Sequence, residues 1–506
     1  MTGKGCLFII GAGPGDPGLI TVKGLECLKR ADVVVYDYLV GEALLRHVRK
    51  DARLIYVGKK GGHHTVSQDE LNRILVREAS TGAVVARLKG GDPFIFGRGG
   101  EEAEVLAGAG IPFEVIPGVT SAIAVPAYAG IPLTHREFTS TVAFVTGHED
   151  PEKSESRIDW DKLATIETLV FLMGVKNLSQ IADNLMWRGR DPETPAALVR
   201  WGTTPDQETL VGTLGNIARR ADAAGMTPPA ILVVGEVVGL RDRLNWFETK
   251  PLFGKGVLIT RPEEQSGELV ELLSRAGARV ISFPTIGIVP PENYDALDRS
   301  IEHIEEYQWI IFTSANGVRS FLLRLMEKGG DVRDLKGIRF CAIGPATARM
   351  LEERGISVDA VPGEYLSEGV VEVLKTYDMK GTRVLLPRAE RARDVIPEGL
   401  AGMGATVDVV TAYRTVSSGR DGAELAGLLE EGRIDVITFT SPSTVKHFME
   451  ILGNVSVLPG STRIACIGPV TKSAAEKAGL TVDIMQGPYV IEGLVEAMVR
   501  YFEKGD

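Results

Sequence analysis

The stretch GAGPGDPGLIT, Gly11 to Thr21, follows the apolar run CLFII and reads as a glycine-rich loop leaving a strand. A dinucleotide loop of the form G-x-G-x-x-G aims backbone N–H groups at a pyrophosphate. Gly11 and Gly13 fit that form, but its third glycine position holds Asp16, a negative charge where phosphate would sit. Pro14 and Pro17 remove two further N–H donors. Asp37 stands about twenty positions on, where such folds keep an acid for the ribose. The loop keeps the turn of a nucleotide site and loses its anion chemistry, which favours a ligand without phosphate.

A second set of residues has the opposite preference. In FTSANG and FTSPST, Ser314 and Ser441 stand where a strand runs into a helix, and Pro442 suits a first helical position. IGPATA and IGPVTK place Gly344 and Gly468 at similar turns. Helix N-termini attract anions through free N–H groups and the dipole, so several facing one crevice suit a ligand rich in carboxylates. The alternative is that these residues only cap helices. Arg261, Arg388, Arg391 and Arg393 add charge nearby or are simply solvated, and His303 and His447 fall in helical stretches as surface or packing residues. No nucleophile elbow, metal motif or P-loop occurs. So few acid–base groups suit a ligand that is itself reactive, or a non-enzymatic binding module.

The elements that carry these residues alternate. Short apolar runs such as ADVVVYD, GAVVARLKGGDP, TLVFLMG and AILVVGEVV are separated by amphipathic stretches, which predicts α/β architecture. At 506 residues, two or more domains are expected. The segment Arg241 to Gly256 breaks the rhythm, giving one domain over 1–245, a linker over 246–254 and a second domain over 255–506. The polar stretch from His148 to Lys162 reads as a surface loop inside the first.

The second domain repeats itself. Arg261 matches Arg388 and Phe312 matches Phe439 at one spacing; Gly344 matches Gly468 and Gly363 matches Gly487 at a slightly shorter one. Two similar α/β lobes with a crevice between them are expected, joined at a repeat junction near Thr382.

A net charge of -11 argues against a nucleic-acid partner, and no apolar run is long enough to span a bilayer. Cys6, Cys27, Cys341 and Cys466 lie singly in apolar runs, as buried free thiols rather than a disulfide frame or metal site. With no signal-peptide pattern at the N-terminus, a cytoplasmic protein is expected.

From Lys255 to about Phe502 the chain resembles uroporphyrinogen-III synthase, through FTSANGV, CAIGPATA, LPRAERARDVIPEGL, VVTAYRT, FTSPSTV and CIGPVT in family order. That family closes linear hydroxymethylbilane while inverting ring D and needs no cofactor. Its substrate carries many carboxylates, which agrees with the anion-site reading of Arg261, Ser314, Gly344, Arg388, Ser441 and Gly468. The resemblance makes Tyr413 of AYRT either a proton donor to the departing hydroxyl or a packing residue.

From Gly5 to about Leu244 the chain resembles the S-adenosylmethionine-dependent uroporphyrinogen-III C-methyltransferases. The matching runs are GAGPGDPGLIT, YVGKKGGHHTVSQDE, RLKGGDPFIFGRGGEE, VIPGVTSA, GIPLTHR, FLMGV and PPAILVVGEVV. The implied fold is the two-lobed tetrapyrrole methylase, followed here by a bilobal α/β uroporphyrinogen-III synthase-like domain with an internal repeat. The cofactor carries a sulfonium and no phosphate, so the lost N–H donors cost little and an acid nearby is tolerable. Resemblance places Pro14, Gly90, Gly91, Asp92, Ile95, Thr120, Ser121, Met173, Gly202 and Ala230 around S-adenosylmethionine. It makes Asp37 a proton acceptor, or a capping residue, and Lys59 a proton donor, or a carboxylate clamp. His63 and His64 read as polar substrate-side residues.

The combined expectation is an enzyme that makes uroporphyrinogen III and methylates it twice to precorrin-2, in the sirohaem and cobalamin branch. A homodimer through the methyltransferase domain is expected. Two competitors are a methyltransferase with a non-catalytic bilobal sensor and a nicotinamide-dependent oxidoreductase.

Overall fold

The computed structural model describes residues 5–58, 66–147, 158–453 and 458–503. The chain divides into two compact units, one of Met1–Lys255 with the short segments Leu273–Arg279 and Phe502–Asp506, the other of Gly256–Leu272 and Val280–Tyr501. Among the described residues no helix is long and apolar enough to cross a membrane.

The first unit holds two sheets. One is wholly parallel, in the order Arg53–Tyr56, Val33–Tyr36, Val84–Lys89, Cys6–Gly11, Phe113–Ile116. Its inner strands are nearly continuous apolar runs because helices cover both faces. Ile9, Val35 and Leu75 fill one side, while Ile10, Val34 and Leu88 fill the other. The second sheet is mixed, in the order Val142–Thr146, Thr168–Leu172, Ala230–Val234, Pro195–Arg200, Glu208–Thr213.

The stretch expected to be a linker begins as part of this unit. The Trp246 indole donates to the Ala127 carbonyl at 3.0 Å, and Trp246 and Phe247 pack edge-on against Tyr128. Glu248 accepts from Gln207 at 2.8 Å and Thr209 at 2.6 Å. Phe247 is buried, and gains too much by that to remain in a free tether. Of the polar stretch from His148, residues 148–157 lie outside those described, and Trp160–Leu163 is a helical turn.

In the second unit the sheets run Arg279–Ser282, Gly256–Ile259, Val436–Phe439, Arg463–Cys466 and Ile286–Val289, Thr406–Ser417, Arg383–Ala389, Trp309–Phe312, Arg339–Ala342. Neither sheet is one copy of the sequence pattern, contrary to a division near Thr382. Gly256–Ile259, from the first copy, pairs with Val436–Phe439 from the second. Trp309–Phe312 likewise pairs with Arg383–Ala389. The chain leaves and re-enters through an antiparallel pair, Ile286–Val289 against the long strand Thr406–Ser417, so each lobe draws on both copies.

Candidate functional site

Three backbone segments meet below the loop that leaves Cys6–Gly11. Ala12 N–H donates to the Lys89 carbonyl at 2.7 Å, and Gly13 and Gly91 exchange hydrogen bonds of 3.2 and 2.7 Å. Gly91 sits at φ +67°, in the left-handed region that glycine tolerates. A Cβ on Gly118 would lie 2.4 Å from the Gly91 carbonyl oxygen and 2.6 Å from Gly11 Cα, so side chains are excluded there. A Cβ on Gly91 would meet only ordinary contacts, the nearest being Ser121 N at 3.6 Å. Gly91 therefore faces the N-terminus of helix Ser121–Tyr128, which Thr120 caps.

Asp92 staples this cradle, its carboxylate accepting from Phe94 N–H at 2.8 Å and Gly118 N–H at 3.0 Å. Gly90 abuts Leu39, and Ile95 is exposed with its neighbours Phe94 and Phe96. The sheet of mixed direction brings its strand ends to the same place. Ile231 pairs with Leu172 and Ala230 with Arg200, so Met173, Ala230 and the turn after Arg200 are neighbours. A Cβ on Gly202 would strike Val125 of helix Ser121–Tyr128 at 2.4 Å, and one on Gly15, beside Pro14, would strike Thr204 at 2.6 Å. Among the described residues, the non-glycines with left-handed φ are Phe96, Arg98, Met173, Trp201 and Thr203, all on these loops. Such strain collects where a site is over-determined by its surroundings.

Asp16 corrects the sequence reading. Its carboxylate does not lie open beside a ligand: it accepts from Gly18 N–H at 2.8 Å and from the Tyr128 hydroxyl at 2.7 Å. Burial, and then the carboxylate, push the Tyr128 phenol far up. The residue that breaks the phosphate pattern is a tie between loop and helix.

Asp37 follows Val33–Tyr36 and is held by Arg87, whose Nη2 donates to Oδ2 at 3.1 Å, and by Leu39 N–H at 3.1 Å to Oδ1. Arg87 is among the buried charges that sequence reasoning missed, together with Lys89 and Glu102. Lys59, His63 and His64 lie outside the described residues.

In the second unit, parallel strands align Ser314, Gly344 and Arg388 along the C-terminal edge of one sheet. Arg261, Ser441 and Gly468 line that edge of the other. Ser314 accepts from Gly317 N–H at 3.0 Å and Ser441 from Thr444 N–H at 3.3 Å. Gly344 and Gly468 cap their helices with identical backbone angles, φ −172° and ψ 177°. The C-terminal edges of parallel strands are where open α/β sheets bind ligands.

Tyr413 is buried, and its hydroxyl lies 2.9 Å from Ser314 Oγ. Burial pushes the phenol up, with Ser314 and Asn316 partly opposing it. Asn316 in turn accepts from Gln265 at 2.8 Å, joining the loop after Gly256–Ile259 to the neighbouring sheet. Both amides escaped the sequence reading, although Asn316 stands in FTSANG itself. Arg261 makes no ion pair among the described residues, and its buried Nε has no hydrogen-bond partner. Arg388 differs: it binds Asp394 at 2.6 Å and the Arg393 carbonyl at 2.9 Å, so its charge shapes its own loop. Arg393 pairs with Glu368 at 2.8 Å.

Known proteins divide the chain the same way. The family model for Tetrapyrrole (Corrin/Porphyrin) Methylases matches residues 6–218, and that for Uroporphyrinogen-III synthase HemD matches 267–496. A "Porphyrin biosynthesis protein HemD" of Ruminiclostridium josui is 40% identical over 481 residues, covering 94% of each chain. An S-adenosyl-L-methionine-dependent uroporphyrinogen III methyltransferase of Methanosarcina barkeri is 55% identical over 247 residues, 48% of this chain and 97% of that one. Among solved structures, a uroporphyrin-III C-methyl transferase from Thermus thermophilus complexed with S-adenyl homocysteine is 40% identical over 46% of this chain and 93% of that one, with a TM-score of 0.40.

Fold and relatives together define a two-domain enzyme of tetrapyrrole biosynthesis. The chain belongs to the family in which a tetrapyrrole methylase is followed by a uroporphyrinogen-III synthase of the HemD type.

Proposed function

We propose that the second unit closes hydroxymethylbilane to uroporphyrinogen III with inversion of ring D, and that the first unit then methylates that product twice to give precorrin-2. The observation that carries this reading is the pairing of the two matched families in one chain, where the product of one is the substrate of the other.

The cradle fits S-adenosylmethionine. Space over Gly91, the helix N-terminus at Thr120 and Ser121, and the apolar Ile95 and Met173 suit an amino-acid nucleoside without phosphate. Bound there, the cofactor supplies an electrophilic methyl group. Pro14, Gly90, Gly202 and Ala230 shape its surroundings, while Asp92 holds the cradle together. Methylating a fully substituted pyrrole carbon leaves the ring system with a positive charge, so the tetrapyrrole must lose a proton from another position, and Asp37 is the acceptor, fixed through both oxygens. Lys59 is assigned the return of a proton to the ring system.

In the second unit Tyr413 donates the proton with which the bilane hydroxyl leaves as water. Arg261 and the helix N-termini behind Ser314, Gly344, Ser441 and Gly468 hold substrate carboxylates. Arg388 supports the loop beside them. Supplying uroporphyrinogen III and S-adenosylmethionine to the full chain tests the first unit: two S-adenosylhomocysteine per tetrapyrrole are expected, and none would refute the assignment. With bilane alone, the III isomer is expected from the second unit; the I isomer alone would favour a sensor domain.

A further inference from the structure

The strand Val84–Lys89 carries two cations into an interior. Arg87 and Lys89, two residues apart, fall on the face that Val85 shares with Val35 and Leu75. Their side chains are 4% and 6% exposed, and that of Glu102, in the first turn of helix Gly99–Gly108, is 0%. Buried ions are tolerated only when they are paired. Lys89 Nζ lies 2.5 Å from Glu102 Oε1, and Arg87 Nε lies 3.5 Å from the same oxygen. Arg87 Nη1 donates to the Leu88 carbonyl at 2.9 Å. That leaves Nη2, which donates to Asp37.

Two cations and two carboxylates thus balance, and Asp37, at 23%, is the most exposed of the four. A cluster built for stability alone would satisfy its own atoms. Here Arg87 Nε and Glu102 Oε2 have no hydrogen-bond partner among the described residues, while the fork's outer nitrogen is directed at Asp37. Burial, followed by the Arg87 charge, also lowers the Lys89 ammonium, and Glu102 opposes that shift.

We propose that Arg87, braced by Glu102 and Lys89, is a positioning residue that holds the Asp37 carboxylate for proton acceptance during methyl transfer. The inference rests on the reading of Asp37 as that acceptor. Sequence alone hides the arrangement, because a buried cation and a solvated one are spelled alike.

A double-mutant cycle in the full chain tests it, with uroporphyrinogen III and S-adenosylmethionine as substrates. The readouts are kcat, KM and S-adenosylhomocysteine affinity for Asp37→Asn, Arg87→Met, Arg87→Lys and the doubles. Arg87→Met is expected to lower kcat about 10–100-fold, as a misplaced catalytic group does, with KM and affinity near the parent values. In the Asp37→Asn background it should cost nothing further, because its object is gone. Arg87→Lys keeps charge without the fork and should fall between. Losses that multiply, or a loss confined to KM and affinity, would overturn the proposal and make the cluster a brace for the Gly90–Gly91 turn. Full kcat in Asp37→Asn alone would instead overturn the role of Asp37, and is read in its own arm. If Arg87→Met fails to bind S-adenosylhomocysteine, Arg87→Lys takes its place in the cycle: no further loss beside Asp37→Asn supports the proposal, and multiplying losses overturn it.

Discussion

The Tyr413 hydroxyl and the Ser314 hydroxyl lie 2.9 Å apart, one on the long strand Thr406–Ser417 and the other capping helix Ala315–Glu327. A phenol aimed at a helix N-terminus, where a substrate anion would sit, can deliver a proton beside bound carboxylates. Tyr413→Phe removes that proton with little change of volume. The synthase rate should fall about 10²–10⁴-fold while thermal unfolding stays near that of the parent. Equal loss of rate and of folding would make the tyrosine a packing residue.

The direction of the Tyr413 shift fixes a pH dependence. An acid must be protonated to act, and burial holds this phenol protonated beyond the usual tyrosine range of about 10. Synthase activity should therefore show no alkaline limb from this group below about pH 10, and lose rate only above it. A Tyr413-dependent limb near neutrality, absent in Tyr413→Phe, would contradict the assignment.

Two glycines separate cradle from scaffold. A methyl on Gly118 meets backbone at 2.4 Å, so Gly118→Ala should destabilise the first unit by about 1–3 kcal/mol. Gly91→Ala meets only ordinary contacts but sits at φ +67°, and should cost about 1–2 kcal/mol while reducing S-adenosylhomocysteine affinity. Calorimetry should show neither chain binding NAD. Unchanged affinity in a folded Gly91→Ala would remove Gly91 from the cofactor face.

What could be seen in advance follows from what each residue must satisfy. Gly11 stands out in sequence because close backbone contact tolerates no side chain there, and Gly91 because its turn needs φ +67°. Arg87, Lys89 and Glu102 do not, since a buried charge and a solvated one are spelled alike. The one clue is a pair of cations at strand spacing inside the apolar run GAVVARLK. Asp16 is legible as incompatible with phosphate, but its partner Tyr128 is remote in the chain. The matched motifs of the second half are equally visible; the crossing of strands between lobes is not, because local pattern carries no information about which sheet a strand joins.

Cys341 and Cys466, each buried on the last strand of its sheet, have thiols pushed up to about 12 by burial. The thiolate is the reactive form, so both stay protonated at about pH 8. Iodoacetamide should leave them unmodified in the native chain and label them on unfolding. Rapid native labelling of either would show that its strand opens.

The strand crossing predicts the outcome of a break near Thr382. It would part Trp309–Phe312 from Arg383–Ala389, hydrogen-bonded neighbours in one sheet. The two pieces made separately should lack cooperative unfolding, and synthase activity should return only when they are produced together. Independent folding of each piece would contradict the shared sheets.

The most direct measurement supplies the full chain with hydroxymethylbilane and S-adenosylmethionine together and identifies the tetrapyrrole formed. The account predicts a doubly methylated product of the III isomer, made without added synthase and with two S-adenosylhomocysteine released per ring. Accumulation of the I isomer, or of unmethylated uroporphyrinogen III with cofactor left intact, would contradict it.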